Sequence, residues 1–228
     1  MKRFYKTALA EPVAGGWQVT LDGRGVKTPL GRPQIVPTEA LAEALAGEWA
    51  AQGAEIDPAT LMLRDLADFA LDVVAPDRSA TISALLRYAE TDTLCYRAEP
   101  EEPLHPHQLA AWEPLLTAAE ARWDIHFKRV NGILHRPQPA ATLARFAAVL
   151  GAEDDVALAA LMTLTSLAAS LVVGLAALAP DSDPVTLWAL ANLEEDWQAE
   201  LWGNDAEALE LRAKRLATFT AAHRFARS

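Results

Sequence analysis

The stretch that decides the fold runs from Val156 to Ala179 and reads VALAALMTLTSLAASLVVGLAALA. It has 24 residues without a charged side chain, and as one helix it would be about 36 Å long, enough to cross a bilayer. However, eight of the residues are alanine, four are Ser or Thr, and the flanks carry acids without Lys, Arg or an interfacial aromatic residue. We therefore interpret it as a buried central helix near residues 154–178, surrounded by other helices.

The chain around this segment, from residue 79 onward, has an almost wholly helical pattern with prolines in the gaps. The pattern predicts helices over 79–97, 105–123, 139–150, 154–178, 184–201 and 205–224. Ile125 and Phe127 alternate with polar residues before Gly132 and predict a short extended piece. Asn204 and Glu207 have the spacing of a capping box at the start of the last helix.

The N-terminal stretch, up to about residue 37, predicts strands and turns instead. Apolar and polar residues alternate over 17–21, and the Asp22-Gly23 dipeptide that follows favours a tight hairpin turn. Two helices come next, one over about 38–52 with Thr38 as its N-cap, and one from residue 57 to Pro76.

The predicted fold class is therefore α+β. A small N-terminal α/β domain with antiparallel strands and two helices is expected over residues 1–77. A larger all-helical domain, built around the central helix, is expected over residues 78–228.

The composition limits the classes of partner. The chain has 228 residues, with 31 acidic and 20 basic side chains and a net charge of −11. Such an acidic surface disfavours nucleic acid and anionic lipid. Cys95 is the single cysteine, so an internal disulfide and the Cys-based zinc patterns are excluded. The N-terminus resembles neither a secretory signal nor a transit peptide, so the expected compartment is a bacterial cytoplasm, or an organelle matrix if a presequence has been removed.

No recognisable catalytic motif emerges from the sequence. Gly23-Arg24-Gly25 lacks the third glycine of a dinucleotide-binding turn, and there is no P-loop pattern. His105 and His107 have no third metal ligand nearby. We therefore predict no catalytic residue, metal or cofactor. Two alternatives stay open, a hydrolase with an unrecognised carboxylate site and a membrane-inserted helical protein.

The predicted helix over 184–201 has an acid within its apolar stripe. Glu194 lies between Leu190 and Trp197 on that stripe, and a carboxylate there is costly unless it is paired. It either pairs with a buried arginine, Arg87 or Arg97, or meets a partner protein. Charge is also segregated, since residues 181–210 hold nine acids and no base, whereas residues 211–228 hold five bases and no acid.

Four stretches, taken together, resemble the family of assembly chaperones for the F1 sector of ATP synthase, in particular the members that act on the α subunit. They are Arg3-Phe4-Tyr5-Lys6; Leu21-Asp22-Gly23-Arg24 with Val26-Lys27-Thr28-Pro29; Glu90-Thr91-Asp92-Thr93-Leu94-Cys95-Tyr96-Arg97; and Leu193-Glu194-Glu195-Asp196-Trp197-Gln198 with Trp202-Gly203. The Glu48-Trp49 pair fits as well, and the matches follow the family's order over nearly the whole chain.

The resemblance implies a non-enzymatic role. A member of this family would bind the free F1 α subunit, shield the surface that later meets the β subunit, and leave when the hexamer forms. It would need no cofactor. We expect a monomer that forms a heterodimer with its client.

The resemblance also directs attention to partner-binding residues, because tryptophans beside charges are typical of interaction surfaces. The predicted client-binding residues are Glu194, Glu195, Trp197, Gln198 and Trp202. The basic hairpin at Arg24 and Lys27 is a second candidate surface. The rival interpretation is that the region from Glu194 to Trp202 packs the two domains together.

Overall fold

An antiparallel sheet forms the N-terminal part of the fold in a computed structural model, which describes residues 1–203 and 205–228. Its strands are β1 (Ala8–Val13), β2 (Gly16–Leu21), β3 (Arg24–Gly25) and β4 (Ile35–Val36). β1 pairs with one edge of β2, while β3 and β4 share the other edge. The predicted hairpin turn is confirmed, since Asp22 and Gly23 both have positive φ, 48° and 77°.

Two helices follow the sheet in the chain; the first packs on β1 and β2, and the second packs on the first. The first, α1 (Glu39–Ala50), begins where the Thr38 hydroxyl accepts the N–H of Leu41. The second helix was expected to begin at Pro58. It begins later, because residues 58–60 form only a 3₁₀ turn. Instead α2 (Met62–Phe69) begins where the Glu48 carboxylate accepts the N–H groups of residues 63 and 64. A π-helical turn (Ala70–Val74) extends it.

The rest of the described chain is mainly helical. Its elements are α3 (Arg78–Glu90), β5 (Tyr96–Arg97), α4 (Leu104–Trp123), β6 (Val130–Asn131), α5 (Ala140–Ala152), α6 (Asp155–Ala168), α7 (Leu171–Ala177), α8 (Pro184–Ala191), α9 (Leu193–Trp202) and α10 (Ala206–Phe225). The fold class is α+β, as predicted. The larger part is not wholly helical, however, because β5 and β6 form a short parallel pair.

The central uncharged segment is two helices rather than one. α6 ends at Ala169, which adopts the left-handed region with φ of 48°, and Ser170 then caps α7 by accepting the N–H of Val173. The expectation of a single helix near 154–178 is therefore wrong. Its predicted burial is confirmed, since Leu158, Leu164 and many of their neighbours are fully buried. Within the described ranges, no helix combines the length and the apolar character needed to span a membrane.

Asp92 explains why the helix breaks at this position. Its fully buried carboxylate accepts the N–H of Leu94 at 3.1 Å and the N–H of Val172, in the first turn of α7, at 3.0 Å. A carboxylate is favoured at a helix N-terminus, where backbone N–H groups lack partners within the helix. Asp92 therefore fixes the start of α7 and the 3₁₀ turn Thr93–Cys95 together.

Two other predicted helices are shorter than expected. The helix over 79–97 ends at Glu90, and the chain turns through the Asp92 cap into β5. The helix over 184–201 is divided at Asn192, whose side-chain amide donates to the carbonyl of Trp188. The expected cap at Asn204 lies outside the described residues, and Asp205 accepts the N–H of Ala208 at the start of α10.

The sheet part and the helical part share one continuous core. α2 and the π-helical turn pack against α6 and α10. At the chain end, the Thr38 hydroxyl donates to the carbonyl of Ser228 at 2.6 Å. The predicted boundary after residue 77 falls between the π-helical turn and α3.

The Asp92 contacts predict a large cost for its removal. Asp92→Ala leaves at least two buried N–H groups without a partner, and we expect about 3 kcal/mol less free energy of unfolding. Asp183→Ala, which removes the exposed cap of α8, serves as the control and should cost about 1 kcal/mol. Urea unfolding measures both. Equal losses for the two variants would contradict the role given to Asp92.

The same carboxylate predicts a pH dependence. Burial raises the pKa of Asp92 from 3.8 to about 6, although backbone donors oppose the shift. The folded state thus binds this proton more tightly than the unfolded state, and the stabilisation present below pH 4 is lost as the pH rises through about 6. Relative to Asp92→Asn, which cannot titrate, the wild type should lose roughly 2–3 kcal/mol between about pH 4 and pH 7. A pH-independent difference between the two unfolding free energies would contradict this.

Candidate functional site

The carboxylate in the apolar stripe of α9 has a neutral partner. The Gln108 side-chain amide donates to Glu194 Oε1 at 2.6 Å, and Gln108 Oε1 accepts the N–H of Ala98 at 2.8 Å. The expected pairing of Glu194 with Arg87 or Arg97 is therefore wrong, and Arg97 pairs with Glu113 on α4 instead. Burial raises the pKa of Glu194 above its ordinary value, and the Gln108 donor opposes that shift.

Glu194 lines an open depression of about 370 Å³ on the protein surface. Its lining residues are Thr91, Thr93, Tyr96, Ile133, His135 and Glu194. The Tyr96 hydroxyl and His135 Nδ1 are hydrogen-bonded at 3.1 Å. The depression combines one carboxylate, hydroxyl groups, an imidazole and an exposed apolar side chain. This is a surface suited to binding rather than an enclosed pocket.

Two of the sequence motifs converge on this depression, which we call the motif depression. Thr91, Thr93 and Tyr96 belong to the 90–97 motif, and Glu194 belongs to the motif of α9. Within the 90–97 motif, the buried Asp92 carboxylate bonds the backbone of Leu94 and of Val172, while Thr91, Thr93 and Tyr96 line the surface depression. The Thr93 hydroxyl also donates to the carbonyl of Ala169 at 2.9 Å, in the break between α6 and α7.

Of the remaining predicted residues of α9, two contact neighbouring helices and two face solvent. Glu195 is exposed and lies 3.7 Å from Arg215 of α10, whereas the Trp197 ring packs against His107 of α4, with ring centroids 4.7 Å apart and the ring planes tilted by 42°. Gln198 and Trp202 face solvent, and Trp202 is 78% exposed. Both line a second shallow hollow at the end of α9. The candidate surface thus extends along the helix from Glu194 to Trp202.

Part of the charge segregation has a local explanation. The Asp196 carboxylate pairs with Arg212, as Glu195 does with Arg215, so bases of α10 neutralise acids of α9. α9 also packs on α4 and α8, within the helical part of the chain. These contacts argue against the rival interpretation that α9 packs the two domains together.

The basic hairpin is a separate surface on the sheet. Arg24 lies on β3 directly after the hairpin turn, and Lys27 forms an isolated bridge with Pro33. Both side chains are exposed. The structure therefore places Arg24 and Lys27 on the sheet part of the fold, whereas α9 packs on α4 and α8.

Other motif residues have structural roles. The Tyr5 hydroxyl donates to the carbonyl of Trp49 at 2.6 Å, and Arg3 Nη1 donates to the carbonyl of Gln52 at 2.5 Å, so the first motif holds the end of α1. The Asp22 carboxylate accepts the N–H of Thr7, the residue before β1, at 2.9 Å. These residues support the fold rather than a binding surface.

Three residues at the site were not predicted from the sequence. Gln108 lies 86 positions before its partner Glu194 and carries no local signal. Ile133 and His135 lie in a loop that follows Gly132, where an apolar pair, Ile133-Leu134, stands beside a turn residue. That pair is the only signal that could have drawn attention to the loop.

The described residues show no cluster of three or more His, Cys, Asp or Glu side chains placed to hold a metal ion. Cys95 is buried, and burial raises the pKa of its thiol well above the usual range. A thiol held in its neutral form is a poor nucleophile. What the site offers is an open surface that carries one carboxylate, hydroxyl groups, an imidazole and an exposed apolar side chain.

Comparison with known proteins identifies the family. A family model described as "ATP12 chaperone protein" matches residues 2–120, just over half of the chain. The chain therefore belongs to the ATP12 chaperone protein family, the family of F1 assembly chaperones that its motifs resemble.

Solved structures agree over the full length. Atp12 from Paracoccus denitrificans is 37% identical, with a TM-score of 0.93 and coverage of 99% of this chain and 97% of that one. The Atu1473 protein from Agrobacterium tumefaciens is 40% identical, with a TM-score of 0.95 and coverage of 100% and 85%. The mitochondrial protein atp12 from Schizosaccharomyces pombe is 27% identical over an alignment of 222 residues, and the match covers 92% of this chain and 76% of that protein.

The Gln108 bridge predicts a specific loss of stability. Gln108→Leu leaves the Ala98 N–H and the half-buried Glu194 carboxylate without their partner, so we expect about 2 kcal/mol less free energy of unfolding. Gln198→Leu, at an exposed position of α9, is the control and should change stability by less than about 0.5 kcal/mol. Chemical unfolding of both variants checks the bridge, and indistinguishable values would contradict it.

Proposed function

We propose that this protein is an assembly chaperone for the F1 sector of ATP synthase that binds the free α subunit. It shields the β-contacting surface of that subunit until the hexamer forms. One observation carries the proposal. In a chain of the ATP12 chaperone protein family, two motifs that are far apart in sequence, the 90–97 motif and the motif of α9, meet at one open depression.

The physical task fits this kind of surface. A free subunit exposes apolar area that would otherwise aggregate. A chaperone that must later release its client should bind through a modest and partly polar interface. The surface along α9 mixes the exposed Trp202 ring with carboxylates and a glutamine amide, which suits reversible binding.

The proposed client-contacting residues follow from this surface. They are Glu194, Glu195, Trp197, Gln198 and Trp202, with the carboxylates standing in for groups of the β subunit. Arg24 and Lys27 on the exposed hairpin form the second candidate surface. Glu194 is the α9 carboxylate that lines the motif depression, whereas Glu195 and Asp196 pair with bases of α10.

The same proposal covers the remaining properties of the protein. It acts as a monomer in a bacterial cytoplasm, without a cofactor, nucleic acid or membrane insertion, and it is not an enzyme. The names of its chaperone relatives support the last point. The lining of the motif depression also favours it, because Glu194 is the one carboxylate among the lining residues described. Hydrolases generally need a second acid or base beside the first.

Co-purification tests the proposed function. The tagged protein should capture the F1 α subunit expressed alone, and added β subunit should displace it. Glu194→Lys combined with Glu195→Lys should reduce capture at least tenfold, because it reverses the charge at the centre of the surface. Densitometry of the captured α subunit measures the effect.

A matched double variant controls for net charge. Glu11→Lys with Glu43→Lys makes the same charge change at exposed positions of β1 and α1 and should capture the α subunit normally. If the variant at residues 194 and 195 binds the α subunit as well as wild type and only melts earlier, α9 is not the client surface. If wild type captures no α subunit, the proposed function is wrong.

A further inference from the structure

The loop from Gly132 to Gln138 is held at both ends. At its start, the Gly132 N–H donates to the carbonyl of Arg97 at 2.8 Å, next to the β5–β6 pair. At its end, the buried Gln138 amide bonds both backbone groups of Lys128, at 2.9 and 3.1 Å. These hydrogen bonds fix the positions of both ends of the loop, and residues 133–137 lie between them.

This loop presents two large apolar side chains to solvent. Ile133 is 98% exposed and Leu134 is 69% exposed. Single exposed apolar residues are common on proteins, but these two are adjacent, and Ile133 lines the motif depression together with residues of the family motifs. An apolar pair at the rim of a polar depression is the composition of an interaction site.

The depression also offers a negative charge without a cation beside it. Among the ion pairs of the described residues none involves Glu194, and its hydrogen bond comes from the neutral Gln108 amide. Burial of this carboxylate has already removed part of its hydration. An incoming cation therefore gains an ion pair while the protein loses little further solvation energy.

We propose that the motif depression takes a client segment that sets an arginine against Glu194 and an apolar side chain against Ile133 and Leu134. The inference rests on the proposed function and names the chemistry that the client presents. Arginine suits the position better than lysine, because its guanidinium is more weakly hydrated and can bond the carboxylate and nearby hydroxyls together. Thr91, Thr93 and Tyr96 supply hydroxyl groups within the same depression.

The apolar half of the inference is tested by binding of the purified F1 α subunit to the immobilised full chain. Ile133→Ser with Leu134→Ser should weaken binding at least tenfold. The control is Leu9→Ser with Leu30→Ser, which removes two apolar side chains that are 56% and 69% exposed on the sheet part. It should leave affinity within about twofold, and thermal melting should show all variants folded because every changed residue is exposed.

The ionic half is tested with Glu194→Gln. This variant keeps an oxygen to accept the Gln108 hydrogen bond but removes the charge. We expect binding at low salt to weaken five- to tenfold and its dependence on salt concentration to become shallower.

The outcomes separate the inference from the proposed function. If wild type binds the α subunit but the variants at Ile133, Leu134 and Glu194 bind equally well, the inference is overturned and the proposed function stands. Loss of binding in the sheet control alone would place the client on the basic hairpin and likewise overturn it. If wild type does not bind the α subunit, both are overturned.

Discussion

The buried carboxylate of Asp92 is the constraint on which the rest of the structure depends. It accepts N–H groups from the 3₁₀ turn that follows it and from the first turn of α7, 80 positions further along the chain. The uncharged central segment must therefore bend at Ala169 rather than continue as one helix. The Asp92 carboxylate also sets where β5 begins. Because β5 pairs with β6 and the Arg97 carbonyl accepts the N–H of Gly132, the position of β5 fixes the start of the loop that carries Ile133. The hydrogen bonds of Asp92 thus determine both the break between α6 and α7 in the core and the position of the Ile133 loop at the surface.

A second polar bridge links this scaffold to α9. Gln108 is fully buried on α4 and holds the backbone after β5 with one end of its amide and Glu194 with the other. A glutamine can do this without adding a buried charge, whereas an arginine would have neutralised the carboxylate. The acids next to Glu194 are paired with α10. The protein therefore keeps one desolvated negative charge at a defined surface position, and the proposed choice of client rests on this charge.

Local patterns in the sequence predict the parts of the fold that local forces decide. The Asp22-Gly23 turn, the Thr38 cap and the burial of residues 156–179 all follow from residue types and spacing. The break at Ala169 and the partner of Glu194 do not, because Asp92 lies 80 positions before Val172, the residue it holds, and Gln108 lies 86 positions before Glu194. The surface along α9 was predicted from its mixture of tryptophan and acids, whereas the loop at Ile133 became visible only through its position beside the motifs.

Hydrogen–deuterium exchange of the chain with and without purified F1 α subunit tests the central claim, that the motif depression and α9 form the client surface. Our account predicts slower exchange on binding in three segments, residues 91–97, 132–135 and 193–202, and unchanged exchange in the sheet over residues 8–36. Slower exchange confined to the sheet and its basic hairpin, with these three segments unchanged, would contradict it.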